Sequence, residues 1–190
     1  VRSLQDDCSQ DLKNTLVLTD TLTLHWDVDY GSSAGMHVLQ VCMRSETGGW
    51  LGFGVSPSGM MVGAEAVIGL PDENTVLKYS LNGKGPTSVV AMNATNQTLM
   101  GRNIQQENGV TVLSFEKYLK EGKDPIKPGQ NNTFIYAEAA SNAFGYHGPL
   151  RGNVTLFFEE APIPTLGPTS MGKSSKKLSK SSKVESNEAG

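Results

Sequence analysis

The sequence lacks the features that would mark it as a membrane protein or a common type of enzyme. Charged residues make up only 18% of it, and no apolar run reaches the roughly 18 residues that a transmembrane helix needs. It contains no Gly-x-Ser-x-Gly, no His-Glu-x-x-His, no phosphate-cradling loop and no four-cysteine cluster. Its three histidines are not clustered, which argues against a conventional zinc or copper site.

Basic charge is also scarce outside the C-terminus. The net charge is -3, although five lysines fall within residues 171–190. The rest of the sequence is therefore more acidic than the net charge implies. Because an acidic surface repels the phosphate backbone, we expect no nucleic-acid partner.

Glycine is abundant, with 21 residues, while hydrophobic residues reach only 37%, a combination typical of turn-rich all-β domains. Apolar and polar residues alternate over 22–30, as expected for a half-buried strand. About ten short strands are predicted, which indicates a β-sandwich, and a short helical turn is expected over 115–121. The predicted strands are 22–30, 37–44, 50–55, 64–70, 75–81, 87–92, 98–106, 110–116, 132–140 and 152–160.

The composition changes after Glu160. Residues 1–160 are predicted to form one domain, long enough to bury a core. Residues 161–190 are a Pro-, Ser- and Lys-rich linker or tail with few apolar side chains, and we expect this segment to be disordered. No signal peptide is evident, and Val1 is compatible with a processed N-terminus.

Two cysteines and four glycosylation sequons indicate a secreted glycoprotein. Cys8 lies in a polar segment, where a free thiol would be exposed, so a Cys8–Cys42 disulfide is favoured over two buried thiols in a cytosolic protein. The sequons begin at Asn93, Asn96, Asn131 and Asn153.

The most informative segment is the loop between the strand at 50–55 and the apolar run at 64–70. Met60 and Met61 lie in this loop, close to glycines on both sides. A thioether here can act as a soft metal ligand, or it can plug the end of the sandwich. His147 lies in a late glycine-rich loop and can supply a second ligand. The alternative is an ordinary surface histidine.

A thioether and an imidazole on separate loops can bind iron from the two faces of a porphyrin. This ligation raises the reduction potential and leaves no position for oxygen, which indicates electron transfer. No Cys-x-x-Cys-His motif occurs, so the haem would be non-covalent haem b. Trp50, Phe144 and Tyr146 are expected to contact it. Arg151 either pairs with a propionate or is an exposed loop residue.

The run Trp50-Leu-Gly-Phe-Gly-Val-Ser-Pro-Ser-Gly59 with Gly63-Ala-Glu-Ala-Val-Ile-Gly69 resembles the DOMON domain family. The resemblance covers roughly residues 12–160 and implies an immunoglobulin-like β-sandwich. One branch of the family binds haem and includes the cytochrome domain of cellobiose dehydrogenase and extracellular plant b-type cytochromes. That branch carries a loop Met after the Trp-containing strand and a late His, which Met61 and His147 match. Met60 ranks second.

The resemblance implies a one-electron carrier rather than an enzyme, secreted or on the extracellular face of the plasma membrane. Its expected redox partners are a transmembrane b-type cytochrome or an extracellular reductant such as ascorbate. Membrane association is expected only through a region C-terminal to this sequence. The alternatives are a haem-free carbohydrate-binding module, with Trp50, Tyr79 or Tyr146 as a stacking platform, and an interaction module of a larger redox protein.

Overall fold

The computed structural model describes Cys8, residues 12–31 and residues 36–160, so the predicted tail at 161–190 lies outside the described residues. Within them, eleven strands form two antiparallel sheets. The five-stranded sheet has the order β1-β2-β3-β9-β8, and the six-stranded sheet has the order β11-β10-β4-β5-β6-β7. The strands are β1 (Asn14–Val17), β2 (Leu22–Asp29), β3 (Val38–Ser45), β4 (Leu51–Val55), β5 (Glu65–Leu70), β6 (Thr75–Leu81), β7 (Val89–Ala91), β8 (Met100–Glu107), β9 (Val110–Tyr118), β10 (Asn131–Glu138) and β11 (Arg151–Phe157).

The main core lies between the two sheets. Alternation sends Leu24 and Phe115 inward from the five-stranded sheet, and Phe53 and Phe134 inward from the six-stranded sheet. The rings of Phe53 and Phe134 stack with centroids 5.0 Å apart. This arrangement confirms the predicted all-β sandwich. Among the described residues no helix is both long and apolar enough to cross a bilayer.

The predicted strands all occur, with ends that move by a few residues. Strand β1 was not predicted, because its four residues are all exposed and give no alternating burial signal. The helical turn expected over 115–121 is wrong. Strand β9 continues to Tyr118, because Phe115, Lys117 and Leu119 alternate into the interior.

The predicted disulfide is confirmed. Cys8 and Cys42 are bonded, with their Cα atoms 5.5 Å apart. Both are buried and pack against Val112 on the outer face of the five-stranded sheet. The bond therefore ties the N-terminal segment to β3.

A buried carboxylate joins the sheets at one end of the sandwich. Glu138, at the end of β10, has no exposed surface. Its Oε1 accepts hydrogen bonds from the hydroxyls of Thr19 and Thr21, and its Oε2 accepts one from Ser45. Such a fully hydrogen-bonded carboxylate is tolerated in the interior. It fixes the point at which the chain leaves β10 and enters the segment that carries His147.

Candidate functional site

The outer face of the six-stranded sheet forms a floor of small and apolar side chains. In β4, Leu51, Phe53 and Val55 face the core, so Gly52 and Gly54 face outward. Gly54 pairs with Ala66 on one side and with Ile135 on the other. Gly52 pairs with Ile68 and with Ala137 in the same way. On this face β4 itself therefore contributes no side chain, and its neighbours contribute two alanines and two isoleucines.

A cavity of about 610 Å³ lies over this floor, within the range of about 300–1,000 Å³ that is typical of small-molecule sites. Three segments wall it: the methionine loop, defined as residues 56–63; the histidine segment, defined as residues 139–150; and the connection between β6 and β7. Met61 and His147 both line this cavity, one from each of the first two segments. The structure thus brings the two predicted ligands to one site.

Hydrogen bonds hold both ends of the methionine loop. The Ser56 hydroxyl donates to the Met60 carbonyl oxygen at 2.7 Å, and the Gly63 amide donates to the Leu81 carbonyl oxygen at 2.7 Å. Gly59 and Gly63 have positive φ, which glycine adopts without steric cost. The loop therefore has a defined shape above the floor.

Burial distinguishes the two methionines. Met60 is 64% exposed, whereas Met61 is half-buried and packs against the apolar cluster on the outer face of the sheet. A ligand to a bound group is expected to lie inside the cavity. Both methionines line the cavity, and Met61 is the more buried of the two.

His147 is held with one ring nitrogen engaged. Its Nδ1 lies 3.0 Å from the Gly148 carbonyl oxygen, so Nδ1 carries the proton and donates when the ring is neutral. Burial lowers the pKa of His147, the hydrogen bond to Gly148 opposes this shift, and nearby Arg151 lowers the pKa further. A neutral ring with protonated Nδ1 leaves the Nε2 lone pair available as a ligand.

Aromatic side chains surround the imidazole. The Trp50 ring lies 5.6 Å from Phe144 and 6.1 Å from His147, centroid to centroid. Tyr146 lies 5.3 Å from the His147 ring but is 78% exposed. Trp50 and Phe144 thus form an apolar wall of the cavity, and Tyr146 lies on the outer side of the histidine.

Two cations are the only charged residues that line the cavity, among those described. Arg151 donates to the Gly148 carbonyl oxygen at 2.8 Å and to the Tyr146 hydroxyl at 3.2 Å. Lys84, from the β6–β7 connection, is the second cation. No carboxylate lines the described cavity. In a protein with a net charge of -3, this local excess of positive charge favours an anionic ligand.

Lys84 was missed by the sequence analysis. It lies in the turn Asn82-Gly-Lys-Gly-Pro86, and nothing in the local pattern indicates that this turn folds towards His147. The stacking platform of the carbohydrate hypothesis is largely buried, since Trp50 is 4% exposed and Tyr79 is 8% exposed. Tyr146 is the one of the three that presents an open ring.

The four sequon asparagines are all exposed. Asn93 and Asn96 belong to the connection between β7 and β8, and Asn131 begins β10. Asn153, in β11, lines the cavity. Burial therefore prevents none of the four from carrying a glycan.

Comparison with known proteins agrees with this architecture. The family model for the DOMON domain matches residues 18–139, and the chain belongs to that family. The match includes Met61 and ends before His147. The structure is similar to the cytochrome b domain of pyranose dehydrogenase from Coprinopsis cinerea, with 13% sequence identity, a TM-score of 0.50, and coverage of 71% of this chain and 75% of that chain. This likeness supports the fold.

Proposed function

We propose that this DOMON domain binds haem b without a covalent bond, with Met61 and His147 as axial ligands, and carries single electrons outside the cell. The observation that carries the proposal is that these two side chains line one cavity from separate segments. The domain whose fold it resembles is a cytochrome b domain. We propose a carrier rather than an enzyme.

The residues of the cavity fit a haem in shape. The glycines and alanines of the floor leave room for a flat macrocycle. A Cβ at Gly52 would lie 3.6 Å from the Trp50 ring and would point from the floor into the cavity. The apolar walls of Trp50, Phe144 and Ile135 suit a porphyrin face.

The polar groups of the cavity fit a haem in chemistry. Met61 and His147 offer a thioether and an imidazole, which are typical axial donors of cytochromes. Lys84 and Arg151 offer two positive charges for the two propionates of haem. These four side chains would then each have a partner on the same cofactor.

Haem, when bound, supplies a reversible one-electron change between ferric and ferrous iron. Met61 would favour the ferrous state of a bound haem, because a thioether is a soft ligand. Trp50 and Tyr146 limit the access of water to the imidazole, and Arg151 positions the carbonyl group that orients it. With both Met61 and His147 holding the haem iron, a substrate would find no free coordination position.

The extracellular location is supported by the disulfide and the exposed sequons, since disulfides persist in oxidising compartments. The redox partner that we propose is an extracellular reductant such as ascorbate, or a transmembrane b-type cytochrome that accepts the electron. The exposed ring of Tyr146 beside His147 marks the side on which such a partner would approach.

Haemin titration of the purified chain tests the proposal directly. We expect the wild type to take up one haem with a sharp Soret band and, after dithionite, the split visible bands of a low-spin b-type cytochrome. Met61→Ala and His147→Ala should each lose the low-spin spectrum. Met60→Ala is the matched control, because this exposed neighbour should leave the spectrum unchanged.

A chain that takes up no haemin would reject the proposal. A low-spin spectrum that is lost in Met60→Ala but kept in Met61→Ala would reject Met61 as the ligand and leave haem binding itself standing. If the colourless chain instead bound glycans in a manner that required Tyr146, the carbohydrate-binding alternative would replace the electron carrier. Tyr146 is the ring that such binding would use, because it is exposed.

A further inference from the structure

Asn153 is the sequon asparagine that borders the cavity. It begins the sequon Asn153-Val-Thr155 in β11, where it pairs with Ile135 of the floor. Its side chain lies over Gly59 of the methionine loop, because a Cβ built on Gly59 would be 3.5 Å from Asn153 Nδ2. The amide nitrogen therefore lies at the rim formed by the loop that carries Met61.

The Asn153 side chain is also available for modification. It is exposed, and within the described part of the chain its amide makes no hydrogen bond. Asn132 shows the opposite situation, because it is buried and its Nδ2 donates to the carbonyl oxygens of Lys127 and Gln130. A group attached to Asn153 Nδ2 would break no contact of this kind.

The other three sequons lie away from the cavity. Asn93 and Asn96 flank a short turn, where Asn93 Oδ1 accepts from the Asn96 amide at 3.2 Å. Asn131 pairs with Phe157 at one end of the β10–β11 pair, whereas the cavity residue Ala137 pairs with Arg151 at the other. None of the three lines the cavity. A glycan on Asn153 would thus differ from the others in what it covers.

We propose that Asn153 carries an N-linked glycan that covers the methionine side of the cavity mouth and keeps large proteins, but not small molecules, away from that side. The inference rests on the proposed extracellular location, because the glycan is transferred in the secretory pathway. In that transfer Nδ2 loses a proton and bonds to C1 of N-acetylglucosamine. The bond from C1 to the lipid pyrophosphate donor breaks, and the lipid pyrophosphate leaves.

The surface beneath the proposed glycan is apolar. Met60 is 64% exposed and Val62 is 46% exposed, both in the methionine loop. Uncovered, they extend an apolar rim around the cavity, which favours contact with other proteins. A glycan at Asn153 would cover this rim on the methionine side and leave the side of Tyr146 open. Small reductants would still enter, while large proteins would be confined to the Tyr146 side.

Glycopeptide mapping and oxidative footprinting test the inference together. The full chain is secreted from a eukaryotic host as wild type, Thr155→Ala, Asn153→Gln and Asn131→Gln. We expect a glycan on the wild-type Asn153 peptide and none in the first two variants. Met60 should be oxidised by hydroxyl radicals several-fold more slowly in the wild type than in these two. Met36, which is 58% exposed, provides the internal reference.

Asn131→Gln is the matched control, because it removes a distant sequon and should leave the Met60 oxidation rate at the wild-type value. An unmodified Asn153 in the wild type, or equal Met60 oxidation with and without the sequon, would overturn the inference. These readouts need no haem. A chain that is shielded at Met60 yet takes up no haemin would reject the proposed function and keep the glycan.

The haem-loaded chain tests the restriction itself. The rate of reduction by ascorbate should be the same in the wild type and in Thr155→Ala. Electron exchange with a soluble protein carrier such as cytochrome c should be several-fold faster in Thr155→Ala. Equal rates with the protein carrier would overturn the role of the glycan in access.

Discussion

The two faces of the six-stranded sheet differ in side-chain size, although the same strands form both. On the inner face, Phe53 and Phe134 are almost fully buried and stack with centroids 5.0 Å apart. On the outer face, Gly52 and Gly54 of the same β4 add no side chains to a floor that Ala66, Ile68, Ile135 and Ala137 complete. Large side chains fill the inner face and form the core, whereas the outer face leaves space for the proposed haem.

The comparison shows where the stability and the function of the domain reside. Large inner side chains supply the burial that holds the sandwich together. Glycine in a strand weakens the fold, because it has no side chain to pack and loses more chain entropy on folding. Gly52 is therefore explained by the space it leaves open, and Gly54 by the close approach of β5, where an added Cβ would lie 2.5 Å from the Glu65 carbonyl oxygen. Changes on the inner face should alter stability first, and changes on the outer face should alter binding first.

The largest expected effect is on the inner face. Phe134→Ala should lower the free energy of unfolding by about 3–5 kcal/mol, because it leaves a cavity between Phe53 and Phe158. Ile135→Ala, the next residue and on the outer face, should cost only about 1–2 kcal/mol, because its side chain is half-buried. Urea unfolding of the haem-free chain measures both. Equal losses would contradict the division between the faces.

The two floor glycines should respond differently to one added methyl group. In Gly54→Ala the Cβ would lie 2.5 Å from the Glu65 carbonyl oxygen and 2.8 Å from the Ala66 Cβ, and the resulting backbone shift should cost about 1–3 kcal/mol. In Gly52→Ala the nearest atom is 3.6 Å away, so the fold should keep its stability while haem affinity falls. Urea unfolding and haemin titration separate the two effects. A Gly52→Ala variant that binds haem like the wild type would show that the floor is not the contact surface.

Alternation made most of the sandwich predictable from the sequence, because a half-buried strand must send every second side chain to the core. Leu22–Asp29 shows this pattern clearly and was predicted. β1 was not predicted, because it is a short, exposed edge strand. The helical turn predicted over 115–121 is wrong, because β9 continues to Tyr118 with Lys117 facing inward. In the structure, Lys117 and Lys78 share the carboxylate of Glu121.

The site was predictable only in part. Met61 and His147 were identified by residue type and loop position, and the ranking of Met61 above Met60 came from the family resemblance. The alternation Leu51-Gly-Phe-Gly-Val55 indicates where β4 lacks side chains, because both glycines lie on one face of the strand. Lys84 could not be predicted, since it lines the cavity only because its own turn, far from His147 in sequence, folds towards the site.

The cations at the cavity mouth should have a smaller effect than the floor. Lys84→Gln and Arg151→Gln should each weaken haem binding about two- to fivefold, because exposed ion pairs contribute roughly 0.2–1 kcal/mol. Haem dimethyl ester, which has no propionate charge, should bind these variants and the wild type alike. Lys120→Gln is the control, since Lys120 is exposed and does not line the cavity. Haemin titration at low and high salt measures the effect. Loss of ester binding would show that the charges do not act on the propionates.

The smallest expected effect is the pH dependence of stability that comes from two imidazoles, one on the outer side of each sheet. Burial lowers the pKa of His25, and Arg44 lowers it further. His147 is shifted in the same direction, again mainly by burial. Because the unfolded chain takes up a proton near pH 6.5 while the folded chain does not, the free energy of unfolding should fall as pH drops below 6.5. Above that pH these two histidines should contribute no pH dependence.

Urea unfolding of the haem-free chain between about pH 5.5 and 7.5, where histidine is the main titrating side chain, measures this slope. His25→Gln should reduce the slope without affecting haem uptake, because His25 lies on the other sheet and bonds to Thr15 at 3.0 Å. His147→Gln should also reduce it, and it should abolish the low-spin haem spectrum. A haem-free wild type that becomes more stable as pH falls from 6.5 would refute the assigned direction of both pKa shifts.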